Sequence, residues 1–456
     1  MDYYKEYEDC LEYIDSYWNK TIHKSSRKKI PFPKIKIPHS YLVPNKNKFN
    51  SIFYWDTFFM FKGLIGTKHA WIMKEMVNNF IYLFNKYGII PNSNLHGLTN
   101  RSHPPFLTSM IMDTFNSFGQ KKKRWLIKDF TYQIKSLERK IWLKKAMKVA
   151  RKEYELVWLD PDGFYNHSVK GFKLARYGDG DIGYSHSSEL ESGWDFTSRF
   201  YNRCSDFLPI DLNIYLYKYE IDFAATSRLF KEFKNEEFWV NKARIRKTEI
   251  NKYMWNEEEG FFFDYNYQQK KQSTFLSLAG FTPLWAGIAT KEQAEKMVKK
   301  LKKFQNPYGL FITDKGSLPK PIDGSKIDKP FHPAIKEIIE PKQWDYPNIW
   351  APLEYLTVIV LLRYGYLDEA VEIMKSSIAT HARLFRKYGT FFEKINGVTG
   401  NKTNNYHYEN QHGFGWTNAV FYRYIKILDE INSNSQIIED DVHKNEVNIL
   451  SYINAY

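Results

Sequence analysis

The sequence predicts one large all-α domain whose helices lie in two layers. Three observations carry that prediction. Apolar residues recur at helical spacing along most of the chain. Amphipathic segments alternate with segments that are apolar on every side. No Pro/Gly/Ser-rich linker divides the 456 residues, and alternating strand-like runs are scarce.

Residues 1–40 read as a preceding helix and a loop-rich strap, with Pro31, Pro33 and Pro38 in the strap, and residues 41–456 as the main domain. From Ala70 to Tyr87 the apolar positions Ile72, Met76, Phe80, Leu83, Phe84 and Tyr87 share one helical face, and Gly88 supplies a left-handed stop. The segment Gly260 to Tyr267 (GFFFDYNY) is the best hairpin candidate, and residues 305–348 read as a long irregular stretch. Ile349 to Tyr364 is apolar all round, with Pro352 suited to a first helical turn, and is too short for a bilayer. Leu367 to Tyr388 is amphipathic through Leu367, Val371, Met374, Ile378, Phe385 and Tyr388, and Gly389 ends it. Both amphipathic helices end in Lys-Tyr-Gly, which hints at a repeated helix-then-loop unit. Phe414 to Ile431 reads as another buried helix.

Composition excludes several classes of protein. Apolar residues at 43% and charged residues at 26% are globular values. Two cysteines, Cys10 and Cys204, leave no room for a disulfide scaffold or a thiolate-rich zinc site. No HExxH helix or histidine ligand spacing occurs, so neither a metal nor another cofactor is expected. No apolar run approaches a membrane span, and the opening MDYYKEYEDC is no secretory signal, so a cytoplasmic protein without membrane partners is expected. Lys+Arg number 66 against 52 Asp+Glu, a net charge of +14. The basic runs, Lys121 to Arg124 and Lys299 to Lys303, fall on helical segments and read as solvated faces rather than nucleic-acid sites. The loop Lys24 to Lys29 is the nearest nucleic-acid candidate and lacks a partner motif. Gly178 to Gly183 fits GxGxxG as text, but its two aspartates would repel phosphate. The sequence does not give the oligomeric state, a monomer being one option.

Chemistry concentrates in a few motifs. In Glu191-Ser-Gly-Trp-Asp-Phe-Thr-Ser-Arg199, Gly193 permits close backbone approach, Trp194 offers a flat face to a sugar ring, and apolar neighbours would keep Asp195 a proton donor. A helix start with an acidic cap is the alternative reading. Gln343-Trp-Asp-Tyr-Pro-Asn-Ile-Trp-Ala-Pro352 interleaves indoles with amides and a carboxylate, groups that hold neutral polyols, although such a loop could also merely cap a helix. Tyr54-Trp-Asp-Thr57, Ile90-Pro-Asn92, Asn100-Arg-Ser-His-Pro-Pro105 and Gly413-Phe-Gly-Trp-Thr-Asn418 carry similar groups. Asp56, Arg101, Asp195, Asp345 and Glu393 are their charged members or neighbours.

These motifs resemble those of the trehalases of glycoside hydrolase family 37. The signature Q-W-D-x-P-x-x-W-A-P is complete at 343–352, and G-F-G-W-T-N at 413–418. The acid motif E-S-G-W-D-F-S-S-R is met at 191–199 with one Ser-to-Thr change. N-R-S-Q-P-P is met at 100–105 with His103 for Gln, the first signature ends in Trp55-Asp56, and the base motif E-K-Y-D is Glu393-Lys-Ile-Asn396.

The resemblance implies an (α/α)6 barrel, a six-hairpin toroid with small loop or short-hairpin insertions, and inverting hydrolysis of α,α-trehalose to two glucose molecules without a cofactor. It implies Asp195 as general acid and Glu393 as general base. Lys48, Trp55, Asp56, Asn92, Arg101, Ser102, His103, Gly193, Trp194, Gln343, Trp344, Asp345 and Trp416 are the substrate-binding candidates. The departures concern sugar recognition. Lys48 stands where the family has an Arg, and cannot reproduce its planar fork. Ser51 replaces a Glu, Arg176 is only a neighbour of the missing R-P-E motif, and Glu409 is displaced by two positions. A related inverting α-glucosidase acting on another small glucoside, such as glucosylglycerate, is the alternative.

Overall fold

The computed structural model describes residues 2–26, 31–118, 130–178, 185–319, 342–403 and 408–433. Lys121 to Arg124, residues 179–183 of the Gly178 to Gly183 segment and residues 27–29 of the Lys24 to Lys29 segment lie outside the described residues. The chain is mostly helical and divides into two compact units. The first comprises Met1–Ser168, Tyr215–Lys247 and Asn418–Tyr456, and the second Val169–Ile214 and Thr248–Thr417.

The first unit holds the helices Tyr3–Glu6, Glu8–Thr21, Tyr54–Lys62, Trp71–Tyr87, Leu107–Ser117 and Phe130–Glu153, which runs into a π-helical turn at Tyr154–Trp158. It also holds the larger part of Ile210–Leu229, Phe233–Met254 and Gly415–Ser433. Trp71–Tyr87 buries the expected stripe, Ile72, Met76, Phe80, Leu83 and Phe84, and Gly88 ends it at φ 74°. A close helix approach explains Gly63, where a Cβ would stand 2.4 Å from Ala419 Cα.

At the centre of this unit Glu153 receives Tyr54 Oη at 2.9 Å on one oxygen and Tyr219 Oη at 2.8 Å on the other. The two phenols lie 2.9 Å apart and both accept the Leu107 N–H. Burial pushes the Glu153 carboxyl up to about 7.

In the second unit Ala351–Arg363 is buried from Ala351 to Leu361, as the all-apolar pattern predicts. It packs on Leu367–Tyr388, whose Gly389 stop lies at φ 68°. The face this second helix buries is narrower than the sequence suggests. Leu367 and Tyr388 are exposed, and the buried stripe is Ala370, Ile373, Met374, Ser377, Ile378, His381 and Ala382. The alternation of an all-buried helix with an amphipathic one is the two-layer pattern at the scale of one helix pair.

The hairpin expected at Gly260 to Tyr267 is not one hairpin. Phe261–Phe262 pairs with Trp255–Asn256, and Tyr265–Asn266 pairs with Phe207–Leu208 on one side and Lys271–Gln272 on the other. Two-residue strands carry too few positions for alternation to show. The 305–348 stretch contains the short hairpin Gln305–Asn306/Gly309–Leu310, while 320–341 lie outside the described residues. Glu354, on the otherwise apolar helix, accepts the Leu310 N–H at 2.9 Å and so fixes that hairpin. No helix among the described residues is long and apolar enough to cross a membrane.

Candidate active site

Three loops of the second unit meet around Asp195. The first follows the helix Ser185–Glu191: Gly193 adopts φ 73°, the left-handed region that glycine enters freely, and Phe196 adopts φ 66° just after Asp195. The second is the Gln343-Trp-Asp345 loop. The third carries Glu393 into the strand Ile395–Asn396.

Short-range bonds lock these loops together. The Trp344 N–H donates to Phe196 O at 3.2 Å. Asn348–Ile349 pairs antiparallel with Ile395–Asn396, which ties the second loop to the third. Asp345, fully buried, receives Thr197 Oγ1, the Ser198 N–H, Ser198 Oγ and the Lys342 N–H. Four donors occupy the four acceptor positions of a carboxylate, so Asp345 joins the acid loop to its own loop. Four indoles continue the link: Trp194 lies 5.4 Å from Trp344, which stacks on Trp350 at 3.9 Å, and Trp416 meets Trp350 edge-on at 5.8 Å. The Trp416 indole N–H in turn donates to Glu393 O at 3.1 Å.

Asp195 is half-buried. Gln343 Nε2 donates to its Oδ2 at 2.9 Å and to its main-chain O at 3.0 Å. Burial pushes the Asp195 carboxyl up to about 6, and the charge of Glu393 pushes the same way. Its own N–H, the Lys394 cation and the Trp344 side chain oppose that rise. Glu393 is buried and accepts at both oxygens, from Lys394 Nζ at 2.7 Å and Tyr408 Oη at 3.0 Å. The Lys394 ammonium lies over the Trp350 and Tyr408 rings. A carboxyl whose affinity for its proton is raised by burial therefore lies within electrostatic reach of a second carboxyl that accepts hydrogen bonds at both oxygens.

Sequence reasoning missed several supporting groups. Arg199 is wholly buried and makes paired hydrogen bonds with both Asp211 and Asp264 at 2.7–3.0 Å. Its guanidinium lies 4.7 Å over Trp194, beside Asp195. Glu189 accepts the Thr197 N–H at 2.7 Å, and burial pushes it up to about 7, aided by Asp345 and Asp195. Lys394 and Tyr408 were also unread. Lys394 directly follows Glu393 and Arg199 closes the acid motif, so both were within sight. Asp211, Asp264 and Tyr408 gave no local signal.

The first unit holds the remaining candidates. Trp55, Asp56, Asn92, Ser102 and His103 are buried, and Arg101 is half-buried. Asn92 and Arg101 are tied through the Asn92 N–H to Arg101 O at 2.9 Å, and Ser102 Oγ donates to Ile90 O. Trp55 meets His103 edge-on at 6.2 Å. Burial, reinforced by the Arg101 charge, pushes His103 down to about 3, so its ring is neutral. Lys48 and Glu409 are exposed, and Arg176 donates to Ser205 O and to the Tyr267 hydroxyl. Several buried polar atoms have no protein partner among the described residues: Arg101 Nε and Nη1, His103 Nδ1, Trp194 Nε1 and Gln343 Oε1. Among the described residues no cluster of three His, Cys, Asp or Glu is placed to hold a metal.

A family model described as Trehalase matches residues 3–432. The chain belongs to the trehalase family. It is 32% identical over 465 residues to a cytosolic neutral trehalase of Saccharomyces cerevisiae, covering 88% of this chain and 58% of that one. It is 29% identical to the cytosolic neutral trehalase of Kluyveromyces lactis, covering 85% and 56%. The chain thus spans a little over half the length of the curated relatives it matches.

Among solved structures, a neutral trehalase from Saccharomyces cerevisiae superposes with a TM-score of 0.70 at 27% identity, over 95% of this chain and 82% of that one. A GH63 mannosylglycerate hydrolase from Thermus thermophilus, in complex with glucose, superposes at 0.63 with 14% identity, over 91% and 99%, a likeness of fold alone. The fold is all-α, of the (α/α)6-barrel class of these neighbours, as the trehalase motifs implied.

Proposed function

We propose that the chain is an inverting glycosidase that hydrolyses α,α-trehalose to two molecules of glucose. Asp195 is the general acid and Glu393 the general base. The observation that carries this reading is the electrostatic coupling of two unlike carboxyls: Asp195, pushed up to about 6 by burial and by Glu393, and Glu393, held as an acceptor by Lys394 and Tyr408. A carboxyl that burial makes slower to release its proton suits the acid, and a carboxylate that accepts hydrogen bonds at both oxygens suits the base.

In the reaction Asp195 protonates the glycosidic oxygen as the C–O bond breaks. Glu393 removes a proton from the water that attacks the opposite face of the anomeric carbon, and one glucose leaves with inverted configuration. The orphaned buried atoms support a hydroxyl-rich ligand. In the second unit Trp194 offers an N–H donor and Gln343 Oε1 an acceptor, and a sugar hydroxyl can serve either. Within the first unit, Trp55, Asp56, Asn92, Arg101, Ser102 and His103 are sugar-binding residues on this reading. Membership of the family and the cytosolic neutral trehalases it matches favour trehalose as substrate and the cytosol as compartment. The test is glucose release from trehalose, glucosylglycerate and maltose side by side. Trehalose should be cleaved fastest; glucose from glucosylglycerate alone would overturn the assignment.

A further inference from the structure

We propose that Gln343 is a positioning residue for the general acid: its amide holds Oδ2 of Asp195 as a hydrogen-bond acceptor and thereby places the transferable proton on Oδ1. The inference rests on the acid role proposed above and adds to it which oxygen delivers the proton and what decides that.

The orientation of the Gln343 amide follows from its partners. Its nitrogen lies 3.0 Å from the main-chain O of Asp195, an atom that can only accept. The amide oxygen cannot occupy that position without facing another acceptor, so the nitrogen must. One of its two hydrogens goes to that carbonyl, and the other points to Oδ2 at 2.9 Å. The Asp195 N–H and the Trp344 side chain also act on this carboxyl, but the locked amide is the donor fixed on Oδ2, which makes that oxygen the poorer site for a proton and favours Oδ1.

The amide is held still. Gln343 is fully buried, and its own main-chain O receives Asn348 Nδ2 at 2.9 Å and the Trp350 indole N–H at 2.8 Å. The neighbouring Trp344 is fixed by Phe196 O on one side and by stacking on Trp350 on the other. A donor locked by its surroundings places a proton with little entropic cost.

The chemistry balances with residues already described. The Oδ1–H proton passes to the glycosidic oxygen, which takes the electron pair of the breaking C–O bond. Asp195 is left as a carboxylate, and the Gln343 N–H to Oδ2 strengthens as that charge develops. Water supplies the new bond to carbon, and its proton goes to Glu393. The charged and titratable groups acting on Asp195 are Glu393, Lys394 and Glu189; Gln343 adds a dipole and no charge.

The test is Gln343→Met in the full chain, which keeps the length of the side chain and removes both donors. With trehalose, kcat should fall about 10–100-fold, the loss of a hydrogen bond to a charged group, whatever KM change accompanies the loss of the Oε1 acceptor. The alkaline limb of the kcat/KM profile should move to higher pH. With α-D-glucosyl fluoride, whose leaving group needs no proton, the loss should largely vanish. Equal losses on both substrates with an unmoved limb would overturn the assignment, as would a raised KM at unchanged kcat. Should Gln343→Met fold poorly, Gln343→Asn retracts the same amide by one methylene and should show the same split in milder form. Failure of the wild type on trehalose would instead sink the functional reading itself, so the two outcomes are separable.

Discussion

Glu153 in the first unit and Asp195 in the second are both carboxyls pushed up by burial, to about 7 and about 6. Their surroundings otherwise differ. Glu153 is enclosed by Tyr54, Tyr219 and Trp158, which donate to both oxygens, and no second carboxyl contributes to its rise. Asp195 is half-buried, shares its field with Glu393 and Lys394, and receives the Gln343 amide at Oδ2. A raised carboxyl alone therefore marks burial. A raised carboxyl with a second carboxyl in its field marks a place for proton transfer.

The comparison breaks most readily in activity. Asp195→Asn and Glu393→Gln should each lower kcat by about 10²–10⁴-fold while leaving the melting temperature nearly unchanged. Glu153→Gln should leave kcat close to wild type. Steady-state assays with trehalose decide this, and a comparable loss in Glu153→Gln would erase the distinction.

Stability gives the next largest effect. Arg199→Met would leave Asp211 and Asp264 buried without their cation, at a cost of about 3–5 kcal/mol in urea unfolding. A cost below about 1 kcal/mol would mean that solvent reaches the pair and that the platform under Trp194 is not rigid.

The smallest effect sharpens the Glu153 side. Its folded-state value of about 7 lies above the ordinary 4.5, so the folded chain binds the proton more tightly than the unfolded one. Its stabilising contribution is complete below pH about 4.5 and is lost as pH rises through about 7, a change on the order of 3 kcal/mol. Glu153→Gln, which cannot ionise, should flatten that part of the stability–pH curve. Identical curves for variant and wild type would show that Glu153 is not the responsible group.

The sequence was most informative where burial imprints itself locally. Trp71–Tyr87 and Ala351–Arg363 were readable because 17 and 13 residues carry their own periodicity and stops. The ends of Leu367–Tyr388 misled, because Leu367 and Tyr388 extend past the face that is covered, while His381 lies within it and burial pushes it down to about 4. GFFFDYNY was misjudged for another reason: its two short strands take partners at 207–208, 255–256 and 271–272. At the candidate site the motifs pointed to Asp195, Gln343 and Glu393. They could not show that Gln343 turns its amide onto Asp195, that Asp345 spends its carboxylate on Thr197, Ser198 and Lys342, or that Tyr408 donates to Glu393. Those relations exist only once loops distant in sequence are adjacent.

The most direct test of the acid–base pair follows the products rather than the residues. Proton NMR of α,α-trehalose incubated with the chain should show α- and β-glucose in equal amounts at the earliest times, before mutarotation, because one anomeric centre inverts and the other is untouched. Two molecules of α-glucose at those times would indicate retention and contradict an acid at Asp195 working with a water-activating base at Glu393.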